Sequence, residues 1–137
     1  MLSATKLMAI SSLLVLLALV GQGTAQKRMM AHATIPFDFW LAGNRLPAGN
    51  YQIEVIESTA YVLFLSTDGK MIGGTYTLLL DGDPVKDTDA RLIFRVQDGR
   101  HYLYGGWGSY GKRLVRAEST HPAPSGDSRA EVPVIFH

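Results

Sequence analysis

Twice along this chain an Asp-Gly dipeptide sits between two runs rich in β-branched and aromatic residues. Thr67-Asp68-Gly69-Lys70 follows YVLFLS, and Gln97-Asp98-Gly99-Arg100 joins RLIFRV to HYLYGGW. Both central positions of a type I′ turn need positive φ, which Asp-Gly tolerates, and the twist of that turn matches the twist of paired strands. Each site therefore predicts a tight antiparallel hairpin. The first places Phe64 opposite Gly73, Leu63 opposite Gly74 and Tyr61 opposite Tyr76. A large side chain lying across a facing glycine accounts for Gly73-Gly74 more simply than a phosphate cradle, because no helix follows to receive an anion.

The second hairpin pairs Phe94 with Leu103, Val96 with His101 and Leu92 with Gly105 on an apolar face that looks inward. The other face pairs Ile93 with Tyr104, Arg95 with Tyr102 and Arg91 with Gly106, and is wet. With no segment keeping a 3.6-residue period beyond two turns, strands are expected near 31–41, 50–57, 60–67, 70–80, 90–97, 100–107, 112–118 and 131–136. The fold class that follows is all-β, an antiparallel β-sandwich or small barrel of about seven to eight strands. The terminal EVPVIFH closes the molecule's own sheet in this reading, with addition to a partner's edge as the alternative.

The start of the chain has a different character. Lys6, the apolar run Leu7–Val20 and the small residues Gly23 and Ala25 have the layout of a secretory signal peptide. As a helix the run spans about 21 Å against a hydrocarbon core about 30 Å thick, so a retained anchor is the weaker reading. The expected organisation is a signal peptide over 1–25 and a single β domain over 26–137, secreted or periplasmic, with no stable membrane insertion after cleavage. Without Lys6, acidic residues match the remaining basic ones in number, and nothing global points to nucleic acid. No cysteine is present, which excludes disulfides, thiol chemistry and thiolate metal sites.

IPFDFWLAGNRLPAGNYQIEV, Ile35 to Val55, is the most patterned stretch. Ile35, Phe37 and Phe39 point one way and Asp38 the other. Pro36 cannot donate to a ladder. Gly43-Asn44 suits a two-residue turn, Leu46-Pro47-Ala48-Gly49 a type I turn, and Tyr51, Ile53 and Val55 then alternate with polar residues. The density of special residues is turn chemistry. Asp38 has no carboxylate or histidine at a local spacing that would make it a general base. This block, followed by RLIFRVQDGRHYLYGGW, resembles a group of small exported bacterial proteins of acidobacterial type with a Pro-Phe-Asp-Phe, Leu-Pro-Ala-Gly-x-Tyr pattern. The resemblance implies export and a β-rich fold and carries over no functional residue.

Three constellations bear on chemistry. Asp81, Asp83, Asp87 and Asp89 are hard oxygen ligands suited to calcium, but the spacing lacks the glycine and glutamate of an EF-hand, and a solvated hairpin loop is the plainer reading. Trp107-Gly-Ser-Tyr-Gly111 falls short of a nucleophile elbow, and His32, His101, His121 and His137 show no zinc spacing. The Arg91, Arg95, Tyr102, Tyr104 ladder with Trp107 beyond it is the candidate ligand face: aromatic faces stack on sugar rings, and arginine supplies fixed donors. Cross-strand Arg–Tyr pairs are also an ordinary way to build a wet face. The sequence thus points to a non-catalytic binding or structural module of the cell envelope that contacts polysaccharide or an envelope protein. The alternative is a small secreted hydrolase assembled from distant residues, which would place a second titratable group beside Asp38 or His101.

Overall fold

The structure is a computed structural model that describes residues 28–136, so the signal-peptide expectation lies outside the described residues. The strands are β1 (Arg28–Ile35), β2 (Phe39–Leu41), β3 (Asn44–Leu46), β4 (Gly49–Ile56), β5 (Tyr61–Leu65), β6 (Met71–Asp81), β7 (Arg91–Gln97), β8 (Arg100–Gly108), β9 (Gly111–Val115), β10 (Arg129–Pro133) and β11 (Ile135–Phe136). Single 3₁₀ turns occupy Asp87–Asp89, Arg116–Glu118 and Gly126–Ser128, and no α-helix occurs among the described residues. The all-β class holds. Among the described residues the strands form one mixed 11-stranded sheet, nine of them in the order β10-β7-β8-β9-β6-β5-β4-β1-β11, with β2 branching from β8 and β3 from β2. Every ladder is antiparallel except β2–β8, where Phe39 and Trp40 run parallel to His101 and Tyr102.

Eleven strands replace the expected seven or eight because proline and turn residues cut the pattern into shorter pieces. The expected strand over 31–41 ends at Ile35, before Pro36, and its remainder becomes β2, which leaves β1 and pairs with β8 and β3. The turn after β2 is centred on Ala42-Gly43, at φ 48° and 91°, one residue earlier than Gly43-Asn44. Leu41 and Leu46, both 1 % exposed, are fixed inward by that register.

Two segments join the halves of the sheet. β6 pairs with β5 through Met71–Tyr76 and then with β9 through Thr77–Asp81. The C-terminal segment lies on β7 as β10 and on β1 as β11. Between those two short strands Val134 is buried and donates its N–H to the Ala90 carbonyl at 3.1 Å. Residues 131–136 therefore pair with the molecule's own strands, β10 at one end of the sheet order and β11 at the other. Side chains of β2, β4, β5 and β7 meet in an aromatic cluster in which Phe39 lies 5.6 Å from Tyr51, 5.8 Å from Phe64 and 5.6 Å from Phe94, ring centre to ring centre. Burial of each such side chain stabilises the fold by about 1.5–3 kcal/mol.

The two Asp-Gly hairpins differ. In the second, Asp98 (φ 52°) and Gly99 (φ 74°) make the expected two-residue turn, and Val96–His101, Arg95–Tyr102 and Phe94–Leu103 pair as read. In the first, Phe64–Gly73, Leu63–Gly74 and Tyr61–Tyr76 pair as read, but Leu65 opposes Met71 across a bulge. Its tip is a longer loop in which only Gly69 has positive φ, and Ser66 donates both its N–H and its hydroxyl to the Lys70 carbonyl. The Asp68 carboxylate accepts the Lys70 N–H at 3.2 Å and the Ser66 hydroxyl, a side-chain turn that competes with the type I′ geometry. Tyr61 lies across Gly74, where a Cβ would meet its ring at 2.6 Å, while Gly73 faces Leu41 and Leu46.

A second bulge corrects the outer register of the second hairpin. Between Phe94 and Ile93 the pairing slips by one, giving Ile93–Gly105, Leu92–Gly106 and Arg91–Trp107 in place of Ile93–Tyr104, Leu92–Gly105 and Arg91–Gly106. Gly105 sits so close to the Arg113 carbonyl of β9 that any Cβ there would collide with it. That approach fixes the glycine opposite β9 and leaves Tyr104 as the extra residue of the bulge.

Candidate functional site

The bulge brings Arg91 and Trp107 face to face. On the sheet, Trp107 lies between Arg91 of β7 and Lys112 of β9. The Arg91 guanidinium is 5.0 Å from the indole centre, Lys112 Nζ 4.7 Å, and the Arg129 guanidinium of β10 5.0 Å. Glu131 offsets two of these cations, accepting from Arg91 at 2.7 Å and from Arg129 at 2.8 Å. The Arg91 hydrogen bond, then that of Arg129, holds the Glu131 carboxyl below its ordinary value of 4.5.

A second cluster lies further along the same strands. The Arg95 guanidinium sits 4.3 Å from the Tyr102 ring centre, and Tyr102 is in turn beside Trp40 of β2. The Trp40 and Tyr102 rings are inclined by only 23°, with centres 6.4 Å apart. Arg100 reaches over Trp40 at 5.8 Å. Arg95 is held by Glu118, which accepts from Nε at 2.9 Å and Nη2 at 3.2 Å, and by Gln97, which accepts from Nη1 at 2.6 Å. Both members of the Arg95–Glu118 pair are 11 % exposed, so the segment after β9 is tied down onto this face.

Of the residues singled out in sequence, Arg91 joins Trp107 and Arg95 joins Tyr102, while Tyr104 falls in the bulge with no register partner on β7. Sequence reasoning missed Trp40, Arg100, Lys112, Arg129 and the two glutamates. Trp40 was findable: the alternation that sends Phe39 and Leu41 inward sends it outward. Tyr110, just beyond the ladder, turns inward, 8 % exposed and edge-on to Phe136 at 5.5 Å, and burial pushes its hydroxyl up to about 12.

The residues on which the hydrolase reading drew make local contacts. Asp38 accepts from Arg45 at 2.6 Å and from the Ala48 N–H at 2.9 Å, latching the turn that follows β3. His101 stacks on Phe37, with ring centres 3.7 Å apart, and burial lowers its pKa, so it is neutral at pH 7. Ser109 lies against the Met29 sulfur, whereas His121 sits 3.9 Å from Glu118. In the acidic segment Asp81 accepts the Asp83 N–H at 2.9 Å, Asp87 and Asp89 belong to a 3₁₀ turn, and no three metal-ligating side chains converge among the described residues.

The Asp38 latch makes a pH prediction. The Ala48 hydrogen bond, followed by the Arg45 one, lowers its pKa below the ordinary 3.8. Its ionised form therefore contributes stability that is complete above the unfolded value and is lost as pH falls through the lower folded one. Asp38→Asn is expected to be less stable than the parent at pH 7, with the gap narrowing in urea melts as the pH is taken below 3.8. A gap that stays constant into acid would remove the charge from the account.

Comparison with protein-family models, curated proteins and solved structures finds no match to this chain. The functional reading therefore rests on the geometry.

Proposed function

We propose that this protein is an exported, non-catalytic binding module of the cell envelope whose Arg/Tyr/Trp face contacts polysaccharide. The observation that carries the reading is the Trp40–Tyr102 platform, two nearly parallel rings on adjacent strands, with the Arg100 guanidinium over Trp40 and that of Arg95 over Tyr102. Sugar rings present C–H faces that stack on such platforms, and guanidinium edges supply directional donors to hydroxyls. Three of the arginines on the face are already paired with a glutamate, Arg91 and Arg129 with Glu131 and Arg95 with Glu118. That pairing suits a neutral glycan better than a polyanion, for which uncompensated cations are the expected design.

In the same reading the sheet is a flattened, sandwich-like barrel. β6 and the β10–β11 segment each belong to both halves, and the aromatic cluster fills the space between them. Such a scaffold keeps the outer face of β10, β7, β8 and β2 rigid, which lowers the ordering cost of binding. Export is supported by Lys6, the Leu7–Val20 run and the small residues before Gln26, and by the resemblance noted above.

The test compares the purified protein with Trp40→Ala/Tyr102→Ala, its fold checked by circular dichroism, for retention on insoluble cell-wall and plant polysaccharides. Removing two stacking rings is expected to cost about 2–4 kcal/mol of binding and abolish retention. Equal retention of both proteins would move the site off this face. Retention of neither would end the glycan reading and favour a protein partner.

A further inference from the structure

We infer that the outer face of β6 is an interface on which a second copy of this chain packs face to face. Among the described residues, six of the eight large apolar side chains left exposed belong to this one strand: Met71, Ile72, Tyr76, Leu78, Leu79 and Leu80. Strand alternation accounts for the central ones. Thr75 and Thr77 are buried and Gly73 faces Leu41 and Leu46, so Gly74, Tyr76 and Leu78 look outward. At the start of the strand, the bulge opposite Leu65 leaves both Met71 and Ile72 exposed. No charge falls between Met71 and Leu80. Gly74 keeps the face flat: the Tyr61 ring lies across it and meets Tyr76 edge-on at 4.8 Å.

Size and charge select the occupant. The 11 residues of β6, at about 3.4 Å each, make a stripe roughly 37 Å long, and strands about 4.8 Å away on either side widen it to roughly 14 Å. That footprint is roughly 500 Å² before side-chain relief is counted, and it approaches the ~800 Å² that each partner of a stable complex buries. The charges stand at the two ends and differ in sign. Lys70 precedes the stripe, Asp81 and Asp83 end it, and all three are exposed. A two-fold axis that lies in the interface and crosses the strand at Tyr76, its middle residue, runs the two β6 strands antiparallel. Gly74 with its covering Tyr61 ring then meets the partner's Leu78, Ile72 meets the partner's Leu80, and Lys70 reaches the end that carries the partner's Asp81 and Asp83. An axis along the strand would set like charges together at both ends. The same aspartates, with Asp87 and Asp89 beyond them, would repel an anionic lipid surface, which leaves a second copy as the better fit.

The inference does not rest on the glycan face, which lies on β10, β7, β8 and β2. Sedimentation equilibrium of the purified protein is expected to give twice the monomer mass, with a micromolar dissociation constant. Tyr76→Glu sets two carboxylates together at the axis and is expected to weaken the dimer about a hundredfold. Should that variant fail to fold by circular dichroism, Leu80→Glu alters a side chain that is 58 % exposed and is expected to weaken the dimer about tenfold. Charge reversal reads the orientation: Lys70→Asp is expected to raise the dissociation constant about fivefold, and Lys70→Asp/Asp83→Lys to restore it. A parent that stays monomeric at its highest soluble concentration would overturn the proposal. If that monomer also cosedimented with phosphatidylcholine–phosphatidylglycerol vesicles, the stripe would belong to a membrane instead. An undiminished dimer in the glutamate variants, or no restoration by the double reversal, would equally overturn it.

Discussion

Gly111→Ala is expected to lower stability by about 3–5 kcal/mol, a large part of the 5–15 kcal/mol typical of a domain. Two costs combine. Gly111 closes the β8–β9 turn at φ +88°, a left-handed conformation that charges an L side chain about 1–2 kcal/mol. A Cβ there would also run into the Asp81 carbonyl oxygen and come within 3.1 Å of Gly82 Cα. All of those atoms are backbone, so relief requires moving the end of β6, where Asp81 pairs with Lys112. Gly69→Ala separates the two costs, because Gly69 has φ +85° and open space around its Cβ position. That variant is expected to lose only about 1–2 kcal/mol. Thermal or urea melts of the pair decide the matter: if Gly111→Ala costs no more than Gly69→Ala, the close approach of β6 to this turn is not what the glycine serves.

What the sequence disclosed and what it hid divide along the same line, between local and third-strand contacts. Asp98-Gly99 set Val96–His101, Arg95–Tyr102 and Phe94–Leu103 correctly because a two-residue turn propagates its register outward. The register then fails at Ile93, and its cause lies on β9, where the Arg113 carbonyl presses on Gly105. No inspection of the hairpin alone contains that contact. The Ile35–Val55 stretch was legible as turn chemistry, and Asp38 turned out to be the latch between two of those turns. That Trp40 faces outward was also legible from alternation. That it stands beside Tyr102 was not, since it requires a chain break at Pro36 and a parallel pairing across a long interval. Most opaque were Glu118 and Glu131. Each neutralises an arginine of the candidate face from a segment with no periodic relation to it, and without them the ladder reads as more cationic than it is.

Glu118→Ala carries the second large effect, and it bears on both stability and function. The carboxylate makes two hydrogen bonds to Arg95, and each side chain is 11 % exposed. Its removal leaves a largely desolvated guanidinium with Gln97 as its only remaining hydrogen-bond partner among the described residues. Breaking such a pair typically costs 3–5 kcal/mol, and the residual exposure reduces this to about 2–4 kcal/mol. If the loss comes from the orphaned charge, then removing both charges repairs it: Arg95→Met/Glu118→Leu is expected to return to within about 1 kcal/mol of the parent. A double variant as unstable as the single one would mean that Glu118 acts by anchoring the Arg116–Ser128 segment, whatever it is paired with. The same two proteins separate stability from recognition. Arg95 covers the Tyr102 ring at 4.3 Å, so its replacement by methionine preserves apolar contact with the platform and deletes the donors. A restored fold with weakened glycan retention is therefore expected from the double variant. That outcome would show that the Arg95 donors serve the face, and that the core does not require the salt bridge.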